Sequence, residues 1–76
     1  MPENWNEYSK GILKSKLAKN NVKLQDLVLA LQAIGVNETY SSVSSKINRG
    51  TFSFTFFVQC MYALRIKNIH IDLEEK

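Results

Sequence analysis

Apolar side chains recur with the period of an α-helix in four short segments, and residues that end helices lie between these segments. The pattern is clearest where Leu24, Leu27, Val28, Leu31 and Ile34 precede Gly35, which can end a helix in the left-handed conformation. Three further helices are predicted around it, from the cap Asn4 to Asn20 or Asn21, from Thr39 to Arg49 before Gly50, and from Phe54, after the cap Ser53, to about Arg65.

Each predicted helix has an inward face that follows from this spacing. The second helix buries the five residues named above, and the other inward faces are Trp5, Tyr8, Ile12, Leu13 and Leu17 in the first helix, Tyr40, Val43 and Ile47 in the third, and Phe54, Phe57, Val58, Met61 and Leu64 in the fourth. Phe56, Cys60, Tyr62 and Ala63 widen the fourth face. Gly11 weakens its helix by about 1 kcal/mol relative to Ala, which is consistent with a close contact between helices.

The C-terminal segment has a different period. Ile69, Ile71 and Leu73 alternate with His70 and Asp72, which predicts a short β-strand that must pair with a second copy, with an N-terminal segment, or with nothing. We therefore expect an all-α fold of four helices, with a fifth left open, and a short C-terminal β-strand. Residues 1–67 form a helix-turn-helix domain in this interpretation, and residues 68–76 form the strand and an acidic tail.

Composition argues against several classes of function. No segment reaches the roughly 18 apolar residues of a membrane span and the N-terminus is polar, so we expect a cytoplasmic location and no membrane partner. The single Cys60 lies among apolar residues and is predicted to be a reduced core thiol. With one His, one Cys and no phosphate-binding glycine loop, we expect no enzyme, cofactor, metal or small-molecule substrate, and we interpret His70 and Asp72 as an ordinary surface pair.

Charge is distributed unevenly along the chain. Residues 10–67 contain nine Lys and Arg residues against only Asp26 and Glu38, whereas both ends are acidic. Such a basic body suits a polyanion, although a solvated, soluble surface explains the charge equally well.

The third predicted helix has an unusual polar face. Serine is a mediocre helix former, yet this helix combines four serines with cationic and amide side chains, namely Ser41, Ser42, Ser44, Ser45, Lys46, Asn48 and Arg49. Short side chains let a helix approach base edges in the major groove, where Lys or Arg can bind guanine. The alternative is that these serines are simply solvated.

The order of the predicted helices is that of a helix-turn-helix, in which an apolar helix, a short turn, a polar helix and a capped apolar helix follow one another.

Two resemblances support this interpretation. Lys46-Ile47-Asn48-Arg49-Gly50 resembles the end of the recognition helix in the phage-repressor-like (lambda-repressor-like) helix-turn-helix superfamily, while residues 24–34 and 54–64 are similar to its second and fourth helices. The chain also resembles, over roughly residues 5–65, a family of short bacterial proteins of unestablished function. The matching stretches are Ala33-Ile34-Gly35-Val36-Asn37-Glu38-Thr39, Lys46-Ile47-Asn48-Arg49-Gly50-Thr51-Phe52-Ser53 and Phe56-Phe57-Val58-Gln59-Cys60.

The order of the helices and the resemblance to the phage-repressor-like superfamily imply a DNA-binding transcriptional regulator that reads double-stranded DNA with the helix from Thr39 to Arg49, while the second resemblance supports the fold. Phosphate contacts are expected from the lysines of the first helix and from the one that follows it, namely Lys10, Lys14, Lys16, Lys19 and Lys23. Two alternatives remain open, a protein-protein interaction module on a helix-turn-helix scaffold, and RNA binding. A homodimer through residues 69–73 is also expected, because one short domain on a half-site would bind weakly.

Overall fold

A computed structural model describes residues 4–71, which form four α-helices joined by short turns. The helices are Trp5–Lys19 (α1), Leu24–Ala33 (α2), Tyr40–Arg49 (α3) and Phe54–Ala63 (α4). α2 contacts both α3 and α4, and α1 contacts α3. None of these helices has the length and apolar character needed to cross a membrane. The prediction of an all-α fold with four helices is confirmed for the described residues.

Polar side chains cap the N-termini of three helices, and two of these caps, Asn4 and Ser53, are the predicted ones. Asn4 Oδ1 accepts a hydrogen bond from the Glu7 N–H at 3.1 Å, and Ser53 Oγ accepts one from the Phe56 N–H at 3.0 Å. Thr39 and Ser42 cap reciprocally, because each side-chain oxygen accepts a bond from the other's backbone N–H, at 3.0 and 2.9 Å. These contacts satisfy N–H groups that have no partner within the helix, and so define where α1, α3 and α4 begin.

Three of the helices end in the same way. Asn21, Gly35 and Arg65 follow α1, α2 and α4 with φ of 56°, 86° and 61°. In each case the next residue is apolar, and its N–H bonds back over 2.9 Å to the carbonyl five residues earlier: Val22 to Leu17, Val36 to Leu31, and Ile66 to Met61. This is the Schellman arrangement, and it turns Val22, Val36 and Ile66 onto the core. The predicted ends at Asn20-Asn21 and Gly35 are confirmed.

The core is built from eleven side chains of all four helices, namely Leu13, Leu17, Leu27, Val28, Leu31, Val43, Ile47, Phe56, Phe57, Cys60 and Met61. Cys60 is fully buried, as predicted. Burial disfavours the charged thiolate and raises the pKa of the Cys60 thiol to about 12, so the thiol stays protonated at neutral pH.

Several predicted core residues are instead exposed. Trp5 and Tyr40 retain 60% and 52% of their accessible surface, and Phe54 retains 73%. Val58 is also exposed, while Phe56 and Cys60 take inward positions on α4. Because every residue from Phe54 to Leu64 is uncharged, the helix carries two competing apolar stripes, and spacing alone does not distinguish them. The predicted inward face of α4 is therefore wrong at Phe54, Val58 and Tyr62, and the predicted burial of Ile34 at the end of α2 is also wrong.

The predicted C-terminal β-strand is not formed in residues 69–71, and Asp72 and Leu73 lie outside the described residues. The segment instead runs beside α1, where the Lys16 ammonium donates a hydrogen bond to the His70 carbonyl. A strand needs a neighbouring strand to satisfy its backbone groups, and residues 4–71 contain none. The alternating pattern therefore does not produce a strand within a single described chain.

The close helix contact lies at Gly50 and not at Gly11. Gly50 is buried with φ of 68°, and a Cβ atom placed on it would lie 2.0 Å from the Asn6 carbonyl oxygen. Gly11 is exposed, and a Cβ atom there would meet nothing within 4 Å. The absence of a side chain at Gly50 thus lets the first turn of α1 cross the end of α3.

Candidate nucleic-acid interface

Glu38, just before α3, binds two of the predicted DNA-contacting residues. Its Oε1 accepts a hydrogen bond from the Ser42 hydroxyl at 2.6 Å, and its Oε2 accepts one from the Lys46 ammonium at 2.5 Å. The bond from Lys46, and then the bond from Ser42, lower the pKa of the Glu38 carboxyl, so it is ionised at neutral pH. The side chain of Glu38 is only 12% exposed. The polar groups of Ser42 and Lys46 are therefore bound to Glu38 within the protein itself.

Lys46 has a second contact that fixes its position. Its ammonium nitrogen lies 4.9 Å from the centre of the Phe56 ring, close enough for a cation–π interaction. Lys46 thus joins the start of α3, through Glu38, to the buried Phe56 of α4. We interpret it as a residue that positions α3, in contrast to the base contact that the sequence predicts.

The remaining polar residues of α3 form a continuous exposed row. Ser41, Ser45, Asn48 and Arg49 are exposed, and Ser44 is half-buried. The side chains of Ser41 and Ser45 make no hydrogen bond to the residues that the structure describes. Asn48 Nδ2 donates to Ser44 Oγ at 3.2 Å, and Arg49 Nε lies 3.4 Å from the Ser45 carbonyl oxygen. The other four residues follow Ser41 by three, four, seven and eight positions, which places them on one side of the helix.

A surface groove of about 370 Å³ connects this row to α1. Lys14 of α1 lines it together with Ser44 and Asn48 of α3. Lys23 is exposed at the start of α2, and its two neighbours in the chain, Val22 and Leu24, line the same groove. The structure therefore brings Lys14, and the chain around Lys23, to the polar side of α3.

The other predicted phosphate-binding lysines lie elsewhere. Lys10 forms an ion pair with Glu7, with 3.2 Å between Nζ and Oε2. Lys16 and Lys19 line a different groove, between α1 and the segment that contains His70 and Ile71. The five lysines therefore do not form one basic surface.

A third depression, of about 310 Å³, lies at the C-terminal end of α3. Arg49 and Lys46 line it from α3, and Ser53, the cap of α4, lines the other side. Arg49 therefore stands at the boundary between the serine row and the start of α4, where a cationic side chain has room to reach an anion.

From the sequence alone, Glu38 stands out only as one of two acidic residues in the basic body. Its contacts with Ser42 and Lys46 were not predicted, although a signal exists, since Ser42 and Lys46 follow it by four and eight residues and helical spacing aligns such positions.

Residues 4–71 contain no group of three His, Cys, Asp or Glu residues arranged to hold a metal ion. His70 is described, whereas Asp72, its suggested partner, lies outside that range.

Comparison with known proteins identifies one family. No curated protein and no solved structure matches the chain significantly. The model of a family described as a domain of unknown function, DUF6471, matches residues 5–69, which is most of the sequence. The chain therefore belongs to the DUF6471 family.

Proposed function

We propose that this protein binds double-stranded DNA and acts as a transcriptional regulator, with α3 lying in the major groove. The observation that carries the proposal is the exposed row Ser41, Ser44, Ser45, Asn48 and Arg49 beside Lys14 of α1. α3 contains no carboxylate, and the nearby Glu38 is neutralised by Lys46. A phosphate backbone that approaches this side therefore meets cations and neutral hydrogen-bonding groups.

The chemistry of the row fits base edges. Serine hydroxyls can donate or accept and are short enough to let the helix axis come close to the bases. Asn48 has the amide that pairs with adenine N6 and N7, provided that it gives up its bond to Ser44. Arg49 can bind guanine or a phosphate, and Lys14 and Lys23 are suited to phosphates alone. Ser42 and Lys46 support this surface through Glu38.

The order of the helices supports the same proposal. α2 is apolar and contacts α3 and α4, while α3 turns its polar side outward. In a helix-turn-helix the second helix of the pair enters the groove and the surrounding helices hold it in place. Here α2 and α3 would be that pair, joined by the Gly35 turn.

The test is a fluorescence-anisotropy titration with random duplex DNA at two salt concentrations. We expect Lys14→Ala to weaken binding to all sequences and to reduce the slope of log affinity against log salt by about 0.9, since one phosphate contact is lost. Lys19→Ala is the matched control, because it removes the same charge from the same helix on the side that lines the other groove. It should leave the slope nearly unchanged.

Sequence preference provides a separate measurement. Selection of bound sequences from a random duplex pool should give a different consensus for Asn48→Ala, with about 1–3 kcal/mol of discrimination lost at one base pair. No change in the anisotropy of duplex DNA at low salt would contradict the proposal and leave the protein-protein interaction module as the better hypothesis. Tighter binding to duplex RNA than to DNA would instead favour RNA binding.

A further inference from the structure

α4 presents an uncharged, partly aromatic surface to solvent. Phe54 and Tyr62 retain 73% and 71% of their accessible surface, and Val58 between them retains 41%. The spacing of four residues places these three side chains in one row along the helix. Of the four helices in the described part of the chain, α4 is the one with no charged residue. Exposed apolar surface without charge is typical of the centre of a protein interface.

A groove of about 770 Å³ runs beside this row. Small side chains of α2, Ala30 and Ala33, line one side of it together with Ile34. Val58 and Tyr62 line the other side, and Ile69 lies at the end. Its charged lining residues are Arg65 and Lys67, so the groove is lined mostly by apolar side chains and otherwise by basic ones.

We propose that this α2–α4 face binds a second copy of the same chain, forming a symmetric dimer. A two-fold contact places the same surface on both partners. A charge that lies near the two-fold axis therefore faces the same charge of the other copy. The chain has a net charge of +3, and residues 10–67 are far more basic than that, so most of its faces would repel their own copy. The uncharged row of α4 avoids this repulsion.

The shape of the face is also self-complementary. The row of α4 projects large side chains, and the groove beside it is lined by alanines, so the Tyr62 ring of one copy can enter the groove of the other. The two exposed rings alone offer roughly 200–350 Å² of the roughly 800 Å² that each partner buries in a standard interface. Ile34, Val58 and Ile69, each about two-fifths exposed, extend that area. Ile69 would then contribute packing and not strand pairing.

This dimer does not rest on the proposed function, because no residue lining the α2–α4 groove lines the groove between Lys14 and α3. It would, however, leave both copies of α3 accessible. The dimer would then present two α3 helices, one from each copy, to a DNA duplex.

Sedimentation equilibrium of the full-length chain over a wide range of concentrations tests the proposal. We expect the mass to rise from 8.7 kDa to twice that value with concentration. Tyr62→Lys should weaken the association at least about a hundredfold, because it buries a third cation beside Arg65 and Lys67, with no carboxylate among the residues that line the groove. Tyr62 is mostly exposed, so an unchanged far-UV circular dichroism spectrum is expected for this variant.

Tyr40→Lys is the matched control, because Tyr40 is an exposed tyrosine on α3, outside this face. It should dimerise like the wild-type chain. A wild-type chain that stays at 8.7 kDa throughout would overturn the proposal and assign the face to another protein or to the chain's own tail. Equal dimerisation of Tyr62→Lys and wild type would also overturn it.

Discussion

Replacing Gly50 by alanine should destabilise this protein far more than the same change at its other two glycines. The left-handed conformation at Gly50, with φ of 68°, costs an alanine about 1–2 kcal/mol. The new Cβ atom would also stand 2.0 Å from the Asn6 carbonyl oxygen and 2.7 Å from its carbon, which are backbone atoms of α1 and cannot rotate away. α1 must therefore shift relative to α3, which adds about 1–3 kcal/mol of packing loss.

The total of about 2–5 kcal/mol is a large share of the 5–15 kcal/mol that stabilises an ordinary domain. For a chain of this length it corresponds to a fall in melting temperature of at least about 8 °C. Urea unfolding at fixed protein concentration, followed by far-UV circular dichroism, measures the free energy of unfolding directly.

Alanine substitutions at the other two glycines separate the cost of the backbone conformation from the cost of the contact with Asn6. Gly35→Ala also places an alanine at positive φ, 86°, but with nothing within 4 Å, so it should cost only the conformational part, about 1–2 kcal/mol. Gly11→Ala lies in the middle of α1 with open space around it and should stabilise the protein by about 1 kcal/mol. Equal losses for Gly50→Ala and Gly35→Ala would refute the reasoning, because they would mean that the contact with Asn6 contributes nothing.

Two further predictions concern single side chains. The pKa of Glu38 is lowered by its bonds to Lys46 and Ser42, so its contribution to stability should be complete above its usual value of 4.5 and lost as the pH falls through the lower folded value. Glu38→Gln removes this titrating group, so it should flatten that part of the stability–pH profile measured by urea unfolding. A profile identical to that of the wild type would mean that the bonds from Lys46 and Ser42 to the Glu38 carboxylate contribute nothing to stability. Arg65, which follows α4, has a φ of 61°, a conformation that favours glycine. Arg65→Gly should therefore stabilise the protein by about 1 kcal/mol in thermal unfolding. Lys67→Gly is the control, because it removes a charge at a residue without positive φ and should not stabilise the protein.

The elements of the fold were predictable because their signals are local. A cap such as Asn4 or Ser53 acts on an N–H three residues away, and a left-handed Gly35 ends its own helix. Such contacts form within one turn of chain, so the sequence contains both partners side by side. The core residues Leu13, Leu27, Leu31 and Val43 followed for the same reason, since each lies on a helix with one clearly apolar side.

Local signals failed where several arrangements satisfy them equally. The uncharged α4 could have turned either stripe inward, and its packing on α2 selected Phe56 and Cys60 over Phe54 and Val58. The alternation from Ile69 to Leu73 is compatible with a strand, but residues 69–71 lie beside α1 and have no strand to pair with. In both cases the missing information was the identity of a distant neighbour.

For the candidate interface too, some features follow from local sequence and others only from tertiary packing. By itself, the sequence determined that a polar, carboxylate-free helix begins at the Thr39 cap and ends at Gly50, because composition and caps belong to one segment. Only the tertiary structure decided which of its residues are exposed, that Lys14 joins them while Lys16 and Lys19 do not, and that Gly50 is where α1 crosses α3. These facts depend on how one helix is oriented against another, and that orientation is a property of the packed core as a whole.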